Sequence, residues 1–169
     1  MKHLLLVLLA TLFISPASFA QTRGRSTAPK PKPAAAAAAT QRVNEVRTAG
    51  ANRVAEQIKL LARFIYVLGS TNESIRRNEA DPDQAQKNPP AKSQIRSGIT
   101  GFREGLDKLE IDFRNTPELQ PYYIKLAGVA SGAANAEQQA TNNQFDAAGR
   151  SLLLVVNRLA DVLVVMMRM

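Results

Sequence analysis

The chain of 169 residues carries 22 basic against 14 acidic residues, a formal net charge of +8, and no cysteine. Its only histidine, His3, lies in a leader expected to be removed, which leaves neither thiolate nor imidazole in the mature chain. This excludes disulfides, thiolate metal sites, C-x-x-C-H haem attachment and cysteine nucleophiles, removes the usual neutral-pH base, and gives an expectation of no cofactor and no metal.

Residues 1–20 read as a secretory signal peptide. Lys2 and His3 form a basic start, Leu4 to Ile14 an apolar core, and Ser18-Phe19-Ala20 a small-residue cleavage site ahead of Gln21. The apolar run is short for a membrane span. Residues 21–39, QTRGRSTAPKPKPAAAAAA, form a low-complexity basic linker. Its alternating Pro-Lys favours extended polyproline II, and its alanines are able either to join the next helix or to stay disordered. Five basic residues, Lys2, Arg23, Arg25, Lys30 and Lys32, precede residue 40 with no acid among them, so the remainder is nearly balanced at 17 basic to 14 acidic. The tail suits weak contact with anionic lipid or an acidic envelope polymer, at about 1 kcal/mol per basic residue near a charged surface. A basic excess that sits mostly in a tail without interleaved aromatics argues against nucleic acid.

From residue 40 to 169 the pattern is helical throughout and predicts one domain. A first helix over about 41–79 carries Val54, Ile58, Leu61, Ile65, Leu68, Asn72 and Ile75 at alternating steps of four and three, a heptad seam. Val43, Val46 and Gly50 fall outside that phase, which predicts a bend or a change of partner near Gly50. Asn72 on the seam reads as a register-fixing amide. Residues 80–91, with three prolines and no apolar period, read as a plain connecting loop, since Pro82, Pro89 and Pro90 stop a helix from running through.

A second helix over about 93–115 places Ile95, Ile99, Phe102, Leu106, Leu109 and Phe113 on one face. Arg103 with Asp107 and Glu104 with Lys108 have the spacing of surface ion pairs, and Asp107, Glu110 and Asp112 read as a wet face without catalytic pairing. Gly98, Gly101 and Gly105 each cost about 1 kcal/mol relative to alanine in a helix and so call for close packing. The third helix, about 117–141, offers Gly128, Gly132 and Ala136 at four-residue spacing. Small-residue stripes of this kind let backbones approach, and they predict an antiparallel hairpin with 98 facing 136, 101 facing 132 and 105 facing 128. The hairpin turns at Asn115-Thr116-Pro117, with Pro121 as the alternative helix start.

Asn143 and Asp146 resemble a capping box for a fourth helix over about 144–168. Between Leu152 and Met167, 13 of 16 residues are apolar. Phe145, Ala148, Leu152, Val155, Leu159, Leu163 and Met166 form its seam, Leu153 and Met167 flank it, and Leu154 and Val165 break into the polar stripe. This apolar surface exceeds what one neighbour covers, so the helix is either central or pairs with another chain through Leu153, Leu154, Val165 and Met167. Arg158 and Asp161 argue against a transmembrane span.

These readings combine into an all-α, up-down four-helix bundle on a disordered Pro/Ala/Lys-rich tether. No spacing joins a nucleophile to its base, so no catalytic residue is expected. The expected role is an exported, periplasmic or secreted, non-catalytic binding or scaffold module of the cell envelope, with homodimerisation through the last helix. The alternative is a carrier that holds a lipid or other hydrophobic ligand in the bundle interior.

Overall fold

The computed structural model describes residues 33–168. The expected signal peptide and residues 21–32 of the linker lie outside the described residues. Within them the chain is all helix, arranged as a four-helix architecture with no strand. The long elements are α1 (Pro33–Glu79), α3 (Asn88–Asn115) and α6 (Phe145–Met167); the third helix is divided into α4 (Gln120–Leu126) and α5 (Val129–Thr141), and α2 (Pro82–Ala85) is a single turn.

The six alanines of residues 34–39 belong to α1 and not to a disordered linker. Alanine has the highest helix propensity, and Pro33 stands at the first helical position, where its missing N–H costs nothing. Over 47 residues α1 extends about 70 Å, twice the length of α6, at 1.5 Å per residue. Residues 35–45 are exposed, so this end projects from the bundle. Packing begins at Val46 and Gly50, and Gly50 meets Leu119 and Met166. The expected change of partner at Gly50 is thus a handover from solvent to the bundle's end.

The prolines of residues 80–91 start helices where a plain loop was expected. Pro82 opens α2 behind Asp81, whose carboxylate accepts from the Asp83 N–H at 3.0 Å, and Pro89 and Pro90 occupy the first turn of α3. Buried Asn88 ties this corner to α1, donating to the Ile75 carbonyl and accepting from Asn78.

The core is a single cluster. Val54, Leu61, Leu68 and Ile75 from α1 meet Ile99, Leu106 and Phe113 from α3, Ala133, Ala136 and Ala140 from α5, and Leu152, Val155, Leu159 and Val162 from α6. Asn72 is 8% exposed and donates to Asp146 Oδ1 at 2.7 Å, pinning α1 to the start of α6. Phe64 of α1 lies against Gly98 of α3 and Gln57 against Gly105, so these two helices run in opposite directions, while Leu68 lies against Gly149 of α6.

Candidate functional site

α6 is the most apolar helix, and the surplus over its core seam is what remains visible at the surface. Phe145, Ala148, Leu152, Val155, Leu159, Val162 and Met166 are buried, spaced three or four apart, as a single inward face requires. On the outward side Leu153 is 48% exposed, Leu154 70% and Met167 76%, and Val164 is exposed with them. Val165, expected on this surface, instead is partly buried against the core. The true neighbour of the outward side is Val164, one residue and 100° away.

Beside Met167 an open groove of about 530 Å³ runs between the two helices, lined by Thr48, Ala51 and Ala55 of α1 and Leu163 and Met166 of α6. Leu163 and buried Met166 give this α1–α6 seam an apolar floor, and Arg47 and Asn52 also line it. The opposite end of the bundle holds a polar cleft of about 490 Å³ among Asn72, Arg76, Glu79, Lys92, Asp146 and Arg150. Most of its charges are matched: Lys92 with Glu79 at 2.7 Å and Arg76 with Asp146 at 3.9 Å. Among the described residues no group of three or more His, Cys, Asp or Glu side chains could hold a metal ion. No helix among the described residues is long and apolar enough to cross a membrane.

The small-residue stripes meet other neighbours than each other. A Cβ on Gly98 would lie 2.5 Å from the Phe64 ring of α1, and one on Gly132 would lie 2.7 Å from Val155 Cγ2 of α6. Gly101 faces open space, and Gly105 comes near only Gln57, at 3.9 Å. Ala136 is fully buried in the core. α3 and α5 are antiparallel neighbours, but in a shifted register. Glu137 accepts from Thr100 and pairs with Arg103 at 2.7 Å, and Arg96 donates to the Ala140 carbonyl. The shift arises because α3 ends at Asn115, residues 116–119 turn, and the next helix starts at Gln120 with Pro121 in its first turn.

The break between α4 and α5 is a second reason. Gly128 has φ +94°, a left-handed conformation natural to glycine, and it divides the helix expected to run unbroken. Glu110, expected on a wet face, closes this break: its Oε1 accepts from the N–H groups of Gly128 at 3.0 Å and Ala130 at 2.8 Å. Arg158 lies on the other side and donates through Nε to the Lys125 carbonyl of α4. A carboxylate at the start of α5 and a guanidinium at the end of α4 each suit the local helix dipole. Asp112 likewise pairs with Arg53 of α1 at 2.9 Å, whereas Arg103 reaches Glu104 and Glu137 and not Asp107.

Comparison with known proteins finds no matching family model, and neither a curated protein nor a solved structure with significant similarity.

Proposed function

We propose that this chain is an exported, non-catalytic module of the cell envelope that binds or scaffolds through its helix faces and pairs with a second copy through the outward side of α6. The observation that carries the reading is the exposure of Leu153, Leu154, Val164 and Met167 on the outward side of the most apolar helix, in two groups with Asn157 and Asp161 between them. Exposed apolar side chains grouped on one side of a helix and bordered by polar residues mark interaction sites. The alternating directions of neighbouring helices support an up-down bundle as the scaffold. The basic residues of the linker supply a weak, salt-sensitive attraction to anionic polymer or lipid, which suits tethering within an envelope. Carriage of a hydrophobic ligand in the interior has less behind it, since Phe64 and Val155 already occupy the space beside Gly98 and Gly132.

The absence of native cysteine makes a direct test available. Single cysteines are introduced by Leu154→Cys, Asn157→Cys and, as a control on α4, Ile124→Cys; Ile124 is 79% exposed. Under mild oxidation or with a short bis-maleimide, the first two are expected to give covalent dimers in high yield and Ile124→Cys only the background of random collision. Equal yields at all three positions would overturn the reading.

A further inference from the structure

An interface between two identical copies related by a two-fold axis must be complementary to itself, and the outward side of α6 has that property in its charges as well as its apolar residues. Arg150 and Asp161 are both exposed. Neither has an ion-pair or hydrogen-bond partner among the described residues, whereas Arg76, Lys92, Asp112 and Asp146 are paired. Asp161 lies eleven positions after Arg150, which at 100° per residue leaves them about 20° apart around the helix and about 16 Å apart along it. They therefore lie on one exposed stripe, which continues past Asp161 to Val164 and Arg168. Leu154 and Asn157 lie between Arg150 and Asp161, and Leu153 beside them.

We infer that the partner on this face is a second copy whose α6 lies antiparallel to the first, crossing near residues 155–156, so that Arg150 of each copy pairs with Asp161 of the other. The inference rests on the proposed self-association and adds its orientation and register. In this arrangement the Leu154 side chains meet close to the two-fold axis beside Asn157, and the two ion pairs flank them about 8 Å to either side, at 1.5 Å of rise per residue, with Val164 and Met167 beyond the ion pairs. An apolar centre with a charged rim is the usual anatomy of a specific interface. A parallel pairing would set Arg150 against Arg150 and Asp161 against Asp161, and like charges at a rim act against that orientation. Arg158 does not compete for Asp161, since it is held at the α4–α5 break by the Lys125 carbonyl. Asp146 does not compete for Arg150, being bound to Asn72 and Arg76.

The test is a charge exchange, read as the dimer dissociation constant by sedimentation equilibrium at low salt. It compares the native sequence, Arg150→Asp, Asp161→Arg and the two substitutions together, with circular dichroism confirming an unchanged helix content. Each single reversal places two like-charged pairs across the interface and is expected to weaken the dimer about tenfold or more. The combined variant regenerates both ion pairs with exchanged sides and is expected to return to within about threefold of the native value. Single variants that associate as tightly as the native chain, or a combined variant as weak as the singles, would overturn this register while leaving self-association through α6 standing. A native chain that is monomeric throughout would overturn the underlying reading, and the register with it.

Discussion

Glu110 Oε1 accepts hydrogen bonds from the backbone N–H of Gly128 at 3.0 Å and of Ala130 at 2.8 Å, so a side chain on one helix caps the start of another eighteen and twenty residues later in sequence. A helix's first N–H groups have no partner within the helix, and a charged acceptor there combines hydrogen bonding with a favourable dipole. Replacing Glu110 by Ala is expected to lower unfolding free energy by about 1–3 kcal/mol, the range for hydrogen bonds to charged groups. Glu110→Gln keeps an acceptor and is expected to lose less. Urea unfolding followed by circular dichroism measures both; an unaffected Glu110→Ala would contradict the cap.

Gly128 is the other half of that relationship. Its φ of +94° is strained for an L-residue, and a Cβ there would also lie 3.0 Å from Arg158 Nη1. Gly128→Ala is expected to destabilise by about 1–2 kcal/mol. Gly101→Ala should act in the opposite sense. That glycine lies in the interior of α3 facing open space, so the substitution is expected to stabilise by about 0.5–1 kcal/mol. The two variants share a chemistry and differ in sign, which makes the comparison a check on backbone conformation; equal effects would contradict it.

The close approach of α5 to α6 predicts a third result. A Cβ at position 132 would sit 2.7 Å from the buried, β-branched Val155. Gly132→Ala therefore overpacks the contact, at a cost of about 1–3 kcal/mol that the gain in helix propensity offsets only in part. Pairing Gly132→Ala with Val155→Ala is expected to recover part of the loss, because the colliding methyl is removed. Strict additivity of the two losses would contradict the contact.

The projecting end of α1 makes a prediction about cooperativity. Residues 35–45 are exposed and packing starts at Val46, so deleting residues 33–42 is expected to reduce helical signal while changing global unfolding free energy by no more than about 0.5 kcal/mol. A loss of several kcal/mol would mean that this end belongs to the cooperative unit.

The regular part of this architecture is written in short-range periodicity. The α1 seam from Val54 to Ile75 and the α6 seam from Phe145 to Met166 are visible as steps of three and four, and both are buried apart from the partly buried Ile58, Ile65 and Leu163. The interruptions are less visible, because their causes lie elsewhere in the chain. Gly128 looks like one member of a small-residue stripe until Glu110 and Arg158 are known to hold its two sides. Asn143 has the spacing of an N-cap, yet it adopts φ 60° and ends α5: its N–H reaches the Ala140 carbonyl and the Gln144 N–H reaches that of Gln139, the pattern of a left-handed helix stop. Arg96 then binds its side-chain oxygen at 2.9 Å. On α6, breadth of apolar surface is legible from composition, whereas the choice of Val164 over Val165 as its exposed member depends on the helix's rotation against α1 and α5.

The assembly surface proposed on the outward side of α6 is tested by the solution mass of the chain from Gln21 onward, measured by light scattering after size exclusion at low and high salt. Twice the mass of one chain is expected at both, because the centre of the patch is apolar. A variant combining Leu153→Ser and Leu154→Ser is expected to have the mass of one chain, with unchanged helix content. A native mass of one chain at every concentration tested, or a double variant that still dimerises like the native chain, would contradict that assembly surface.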